Sequence, residues 1–255
     1  MRTEPSDFSE SPRLFGDDEA PVLPIPEGDR LPSYIVDHRA RLRQRFAEGG
    51  AAAMPDYELL ELILFSAIPR QDVKPLARRM IDSFGDLGGV LSAPVARLSE
   101  VKGVGGAVIL AVKLHEAVAH RTARARVLNR PVLSSWDALL TYCHTAMAHR
   151  ETEQFRILFL DHKNVLIADE EQARGTVDHV PVYPREVVKR ALDLNASAVI
   201  LVHNHPSGDP TPSQSDIAVT RQVEEAGRIL GITVHDHIIV GRSRELSFRA
   251  AGILQ

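Results

Sequence analysis

Two histidines in the last third of the chain are placed to hold a metal ion. His203 and His205 end the apolar run SAVILVHNH, which predicts a strand, and the alternation of a strand puts both side chains on one face. The loop PSGDPTPS then leads to a predicted helix with Asp216 in its first turn. Two imidazoles and one carboxylate give three protein ligands, and three ligands with one open position are typical of catalytic zinc. The sequence therefore predicts a zinc site at these three residues.

The same residues also allow a purely structural interpretation. Two histidines separated by one residue occur often by chance, and Ser213 with Asp216 has the S-x-x-D form of a helix capping box. Asp216 would then serve only the helix. The whole string HNHPSGDPTPSQSD favours the metal site, because it combines two histidines, a stiff loop, a serine and an aspartate at fixed offsets.

The complete spacing, H-x-H-x7-S-x2-D, resembles the JAMM motif of the JAB/MPN metallohydrolases. The form HNHPSGDPTPS, with the flanks VYPREVVKRALDLNASAVILVHNH and GITVHDHIIVG, resembles the bacterial RadC-type family over roughly residues 33–255. This resemblance implies an α/β (α+β) fold: a JAB/MPN-like, cytidine-deaminase-like mixed sheet with flanking helices, preceded by a small all-helical hairpin domain. It also implies a zinc-dependent hydrolase that cleaves an amide or isopeptide bond in a peptide or protein substrate. The DNA repair label of the family is only an association.

The resemblance also implies a role for each matching residue. His203, His205 and Asp216 correspond to the metal ligands of the motif. Ser213 corresponds to the serine that helps to stabilise the oxyanion of the tetrahedral intermediate. The motif further requires an upstream glutamate, which acts as general base on the attacking water and later as acid toward the leaving amine.

Three glutamates compete for the role of general base. Glu153 is favoured, because it directly precedes the predicted strand QFRILFLD, where proteins with this motif place their glutamate. Glu186 in PREVVKRAL is the rival, although an acidic residue near the positive end of a helix dipole has a simple structural role. Glu151 is a weaker third candidate.

Several other residues near the motif have predicted packing or supporting roles. His235 and His237 lie in VHDHIIV, where packing within the strand is the commoner role of a histidine. Asp236 and His237 recur in RadC-like sequences, which allows them to support the metal ligands from behind. Asn204 and Ser207 flank the ligands and are expected to shape the site without touching the metal.

The elements before the metal site form a predicted helical domain with a glycine-rich turn. The segment LSEVKGVGGAVILAVKL resembles a helix-hairpin-helix, and its Lys102, Gly103 and Gly105 predict a weak, non-specific contact with DNA phosphates through backbone amides. Further basic residues follow along the chain: Arg121, Arg124 and Arg126. Val108 and Ile109 stand where such hairpins often carry Lys-Ala, so the local positive charge is reduced. A hairpin used for packing or protein contact is the alternative.

The chain divides into four predicted segments. These are a mobile acidic tail (1–32), the helical domain (33–125), a linker (126–133) and the metal domain (134–255). The tail carries 3 basic and 8 acidic side chains between residues 1 and 30, whereas residues 36–126 carry 14 basic and 10 acidic ones. Only the helical domain leans basic. The alternative function is therefore a DNA-associated binding protein, or a metal-dependent nuclease, whose metal site is structural or differently used.

Composition sets the remaining expectations. With 44% apolar and 25% charged residues, the chain has the composition of a soluble globular protein. No apolar run reaches the roughly 20 residues of a membrane helix, and the acidic N-terminus resembles neither a secretory signal nor a transit peptide. Cys143 is the single cysteine, which excludes an internal disulfide and predicts a reducing cytoplasm. Its place on a predicted helix makes Cys143 a small core residue rather than a nucleophile.

Overall fold

The computed structural model describes residues 33–132, 134–174 and 182–254. The predicted tail (1–32) and the predicted strand DHVPVY, apart from its last two residues, lie outside the described residues. The first half of the chain is helical, with a short 3-10 helix, Ala51–Ala53, after α1. Its helices are α1 (Ser33–Gly49), α2 (Asp56–Ala67), α3 (Lys74–Phe84), α4 (Leu87–Ser92), α5 (Val95–Glu100) and α6 (Gly106–Ala125).

One shared apolar core holds these helices together. Leu60 and Leu64 of α2, Met80 of α3, Leu98 of α5 and Val112 of α6 are almost completely buried in it. At about 25 cal/mol per Å² of apolar surface removed from water, burial of such side chains is the main force that packs these amphipathic helices.

The region between α3 and α6 differs from the sequence prediction. The sequence predicts one short helix from about residue 93 to residue 100, which corresponds to α5, but it does not predict α4, which ends just before Pro94. Asp86 allows α4 to form despite its two glycines, because its carboxylate accepts a hydrogen bond from the Gly89 amide at 2.6 Å. Proline disfavours a helical conformation in the residue before it, and Ala93 is extended with ψ 138°.

The second half is a five-stranded mixed sheet flanked by helices, so the predicted α/β class is confirmed. The strand order is β2-β1-β3-β4-β5; β3 and β4 are parallel, and the other neighbouring pairs are antiparallel. The elements in chain order are α7 (Trp136–Met147), β1 (Gln154–Leu160), β2 (Leu166–Arg174), α8 (Pro184–Asp193), β3 (Ala198–Asn204), α9 (Gln214–Arg228), β4 (Thr233–Val240) and β5 (Glu245–Ser247).

The two faces of the sheet carry different helices. Leu158 and Leu160 of β1 face a core that includes Leu139 of α7. Phe155 and Ile157 of β1 face the opposite core, which the side chains of α8 and α9 complete. Strand alternation therefore assigns each residue of β1 to one face, and His203 of β3, which pairs with Phe155, belongs to the α8–α9 face.

The two halves of the chain are in direct contact. His120 of α6 bonds through Nε2 to the Thr145 carbonyl oxygen of α7 at 2.7 Å. The segment expected to be a linker also packs on the sheet, since Leu128 and Pro131 form isolated bridges with the start of β2. Among the described residues, no helix combines the length and the apolar character needed to cross a membrane.

Candidate metal centre

The structure brings the three predicted ligands together at the end of β3. The Nε2 atoms of His203 and His205 are 3.1 Å apart. Asp216, in the first turn of α9, places Oδ1 3.3 Å from His203 Nε2 and Oδ2 3.7 Å from His205 Nε2. In the part of the chain that the structure describes, these residues form the only group of histidine, cysteine or acidic side chains that could hold a metal ion. His203 is fully buried, whereas the other two remain partly open to solvent.

The loop after β3 fixes the orientation and tautomer of His205. Its Nδ1 lies 2.7 Å from the carbonyl oxygen of Asp209. Because a carbonyl oxygen can only accept, Nδ1 carries the proton and Nε2 offers its lone pair to the centre. Gly208, with φ +85°, turns the loop sharply, and its carbonyl packs so closely on Gly241 that a β-carbon there would lie 2.4 Å from it. The loop is therefore held against the sheet.

A chain of hydrogen bonds fixes the tautomer of His203 from behind. The Thr220 hydroxyl donates to the carbonyl oxygen of Asp216 at 2.5 Å, so its oxygen must accept from His237 Nδ1 at 2.6 Å. Burial, followed by the charge of His203, lowers the pKa of His237 well below its ordinary value and keeps the ring neutral. His237 Nε2 then accepts from His203 Nδ1 at 2.8 Å. His203 consequently also directs an Nε2 lone pair at the centre.

Asp216 caps α9 and also lies beside the two histidines. Its Oδ2 accepts from the amide and the hydroxyl of Ser213 at 2.7 and 2.6 Å, and its own amide donates to Ser213 Oγ, which completes a capping box. Burial alone would raise the pKa of Asp216, but the adjacent imidazoles of His203 and His205 outweigh it and hold this pKa well below the usual range. Capping of α9 thus orients the carboxylate toward the histidines.

Glu153 lies beside the histidines because of the register between β1 and β3. Phe155 pairs with His203 and stacks on its ring, with centroids 5.7 Å apart. Two residues earlier, alternation places Glu153 on the same face, next to His205. The adjacent Asp216 carboxylate raises the pKa of His205, and the nearby charge of Glu153 adds to this shift. Glu153 is half-buried.

Asn204, between the two histidines, anchors the segment that carries Glu153. Its side chain is buried, and its Oδ1 accepts from the Gln154 amide at 2.9 Å. Its Nδ2 donates to the Thr152 carbonyl oxygen at 3.2 Å. These bonds hold the backbone on both sides of Glu153. The end of β3 therefore carries the candidate ligands His203 and His205 on one face, while Asn204 on the other face positions the candidate base.

Comparison with known proteins identifies the family of this chain. The profile of the RadC-like JAB domain matches residues 133–253, and that of the UPF0758 N-terminal domain matches residues 36–110. A UPF0758 protein of Ruegeria pomeroyi is 74% identical over 224 residues, which cover 88% of this chain and all of the relative. A UPF0758 protein of Rhodobacter capsulatus is 74% identical over 213 residues, which cover 84% of this chain and all of that relative.

The chain belongs to the RadC-type UPF0758 family. Its C-terminal half is a JAB domain, as the resemblance implied, and this membership together with the His203, His205 and Asp216 group supports a metal-dependent role. The names of the relatives state neither a reaction nor a substrate.

The two rival glutamates make ion pairs elsewhere. Glu186 is 46% exposed and bonds to Arg185 at 2.9 Å, at the start of α8. Glu151 bonds to Arg97 at 3.1 Å, across the contact between the two halves of the chain. Neither appears among the charges that shift the pKa of the candidate ligands, in contrast to Glu153. The assignment of the base remains a prediction.

Ser213 supports the ligand in this arrangement. Its single hydroxyl proton points to Asp216 Oδ2, and its oxygen also lies 2.7 Å from Ser215 Oγ. To donate to an oxyanion, the hydroxyl would have to rotate away from Asp216. Its role in catalysis therefore remains a prediction.

The other residues near the motif have distinct positions. Asp236 accepts from the His237 and Arg249 amides at 2.8 and 2.9 Å and thereby holds the backbone behind the centre. His235 faces away and bonds to Asn164 at 2.5 Å. Thr220 was not among the residues predicted from the sequence, although its position four residues after Asp216, on the same helix face, was a usable signal. Sequence alone had suggested support from Asp236 and His237 without showing their contacts.

The last two groups lie away from the centre. Cys143 is buried in the α7 core, and burial raises the pKa of its thiol to about 12, so it has no nucleophilic character at neutral pH.

The predicted hairpin turn lies between α5 and α6, where Lys102, Gly103 and Gly105 are exposed and α6 starts without a side-chain cap. Its contact with DNA remains a prediction.

Proposed function

We propose that this protein is a zinc-dependent hydrolase that cleaves an amide or isopeptide bond in a peptide or protein through an activated water. One observation carries the proposal: two imidazole lone pairs and a carboxylate, each oriented by its own hydrogen bonds, converge on one partly open point. Three acceptors this close repel one another unless a proton or a cation lies between them, and one proton can bridge only two of the three. The arrangement therefore fits a metal better than a hydrogen-bonded core.

The distances support zinc in particular. Zinc–nitrogen bonds of about 2.0–2.1 Å in tetrahedral geometry put ligand atoms roughly 3.3 Å apart. The separations of 3.1, 3.3 and 3.7 Å between the His203, His205 and Asp216 atoms lie close to that value. Nitrogen and carboxylate ligands also suit zinc, and three of them leave one position for water or substrate.

In the proposed reaction, the metal, the general base and the positioning residues have separate roles. A zinc ion in this site would lower the pKa of bound water to about 7 and polarise the scissile carbonyl group. Glu153 accepts the proton of the attacking water and returns it to the leaving amine. Asn204 keeps the Glu153 backbone in place, and Ser213 holds Asp216.

Replacement of Glu153 by glutamine tests this proposal. Glu153→Gln keeps the shape of the side chain but cannot accept a proton, so turnover should fall by about 10²–10⁴ while zinc stays bound. The assay is cleavage of a pooled library of linear and isopeptide-linked peptides, read by mass spectrometry, with zinc content measured on the same samples. Glu186→Gln is the control and should retain most of the activity, because Glu186 pairs with Arg185.

Three outcomes would count against the proposal. If the zinc-loaded wild type cleaves no peptide, or if Glu153→Gln cleaves as fast, the hydrolase assignment or its base is wrong. If Glu186→Gln alone abolishes turnover, Glu186 is the base. If supercoiled DNA is cleaved in place of peptides, the nuclease alternative replaces the peptidase.

A further inference from the structure

A second cleft lies on the sheet face opposite the candidate metal centre. It has a volume of about 380 Å³ and opens where α6 meets α7, β1 and β2. Gln154 and Arg156 line it, and strand alternation directs their side chains away from the Phe155 and His203 face. We call it the arginine cleft; its basic and acidic lining residues are His120, Arg121, Arg124, Arg150, Arg156, Asp169 and Glu171.

Internal pairing leaves this cleft with an excess of positive charge. Asp169 is buried and accepts two hydrogen bonds from the Arg156 guanidinium, at 3.0 and 2.8 Å, and another from the Tyr142 hydroxyl. Arg156 and Asp169 therefore neutralise each other. Arg121 and Arg124 are exposed, stand three residues apart on one side of α6, and have no ion pair among the residues that the structure describes.

Gln154 adds an amide group to the wall of the cleft. Most of the residue is covered, and within the described parts of the chain no hydrogen bond is made by its side-chain amide. The amide nitrogen and oxygen are not among the fully buried atoms, so they reach the open space of the cleft. The amide is therefore available to a ligand that offers hydrogen-bonding oxygens inside the cleft.

We propose that the arginine cleft binds a phosphate group. A guanidinium binds phosphate through two parallel hydrogen bonds, so Arg121 and Arg124 together can engage several phosphate oxygens. A phosphate that binds both guanidinium groups still has an oxygen for the side-chain amide of Gln154. A carboxylate has only two oxygens, which the two arginines would already occupy. The phosphate belongs either to a single-stranded nucleic-acid backbone or to a free nucleotide. This proposal does not depend on the hydrolase reaction, because the cleft and the metal centre lie on opposite faces.

Removal of the two exposed arginines from the full chain tests this site. The probe is a fluorescein-labelled 20-nucleotide oligo-dT, followed by anisotropy over a series of salt concentrations. Arg121→Ala with Arg124→Ala should weaken binding at least tenfold and reduce the salt slope by about 1.4, since each single-strand phosphate contact contributes about 0.7. Alanine is compatible with the helix, and thermal unfolding of each variant checks that α6 is intact.

Three further variants make the test specific. Arg126→Ala with Arg228→Ala removes the same charge outside the cleft and should change affinity less than twofold. Arg121→Lys with Arg124→Lys keeps the charge but loses the two-pronged geometry, so binding should fall in between. Lys102→Ala reports on the hairpin turn and should have little effect.

The outcomes separate the two phosphate sources and can overturn the site. If ADP or inorganic phosphate shifts the NMR signal of the Gln154 side-chain amide while oligo-dT does not bind, the site holds and its ligand is a free phosphate. The proposal is wrong if the Arg121→Ala with Arg124→Ala variant binds oligo-dT and the free phosphates as tightly as the wild type does. It is also wrong if this variant and the Arg126→Ala with Arg228→Ala variant bind with equal affinity. If Lys102→Ala alone abolishes oligo-dT binding, the hairpin turn is the phosphate contact and the cleft is not.

Discussion

The helical half (α1–α6) and the sheet half (α7–β5) both bury polar side chains, but these side chains make different kinds of contact. In the helical half, Arg39 donates to the carbonyl oxygens of Ile68 and Gln71 at 2.6 and 2.7 Å, beyond the end of α2. His38 bonds to the buried carboxylate of Glu61 at 2.7 Å. These contacts tie α1 to its neighbours and converge on no common point. They hold elements together.

In the sheet half, the buried polar groups form a relay that ends at one centre. Thr220 donates to the carbonyl oxygen of Asp216, His237 donates to Thr220, and His203 donates to His237. The Nε2 lone pair of His203 then points to His205 and Asp216. All buried side-chain atoms without a hydrogen bond in the described residues lie in the helical half: Arg39 Nε, Glu58 Oε2, Glu61 Oε1 and Glu116 Oε1. Two of them, Glu58 Oε2 and Glu116 Oε1, are instead in ion pairs with Arg45 and Arg150. A structural network can leave such atoms, whereas a metal site must orient every ligand.

The largest effect that separates the two halves should come from removal of one ligand. His203→Ala should lower zinc affinity by about 10²–10³, since zinc binding of about 10–16 kcal/mol shared by four ligands gives roughly 3 kcal/mol for each. Asp216→Ala should act similarly. Competition with a chromophoric chelator measures the affinity.

His38→Ala is the matched control for that experiment, because it removes a buried histidine–carboxylate contact of the helical half. It should leave zinc affinity unchanged. If His203→Ala and Asp216→Ala both retain wild-type zinc affinity, the metal binds elsewhere and the comparison between the halves fails.

A smaller effect, on stability alone, is expected in the helical half. Arg39→Ala should lower the free energy of unfolding by roughly 2–3 kcal/mol, because it removes two charge-assisted hydrogen bonds and a guanidinium that lies 4.3 Å from the Phe65 ring centroid. Urea denaturation followed by circular dichroism measures this change. Arg41→Ala, on the exposed side of α1, should cost far less. A change in zinc affinity with Arg39→Ala would show that the halves are not independent.

The smallest effect tests the relay itself. Thr220→Val removes the hydroxyl that accepts from His237 but keeps the side-chain shape, so zinc affinity should fall about 10–100-fold without loss of the fold. Thr141→Val is a close control, because the Thr141 hydroxyl makes the same bond to the carbonyl four residues earlier on an exposed helix face. Equal zinc affinity in both variants would mean that the relay does not orient His203.

The sequence by itself predicted the candidate ligands and most of the elements. His203, His205 and Asp216 lie within 14 consecutive residues, and their geometry depends on local rules: strand alternation, a stiff loop and a helix cap. The helix α4 was missed because its two glycines disfavour a helix, and the cap from Asp86 that offsets them is a weak signal.

The tertiary structure decided everything that joins distant segments. Glu153 and Asn204 are about fifty residues apart in the sequence, and only the pairing of β1 with β3 brings them together. His237 reaches His203 across the parallel pair β3 and β4, and the arginine cleft needs α6 to pack beside β1. Strand order and register result from competition among all the strands for partners and for a buried face, and no local pattern encodes that competition. The resemblance could suggest Glu153, but only the fold could place it beside His205.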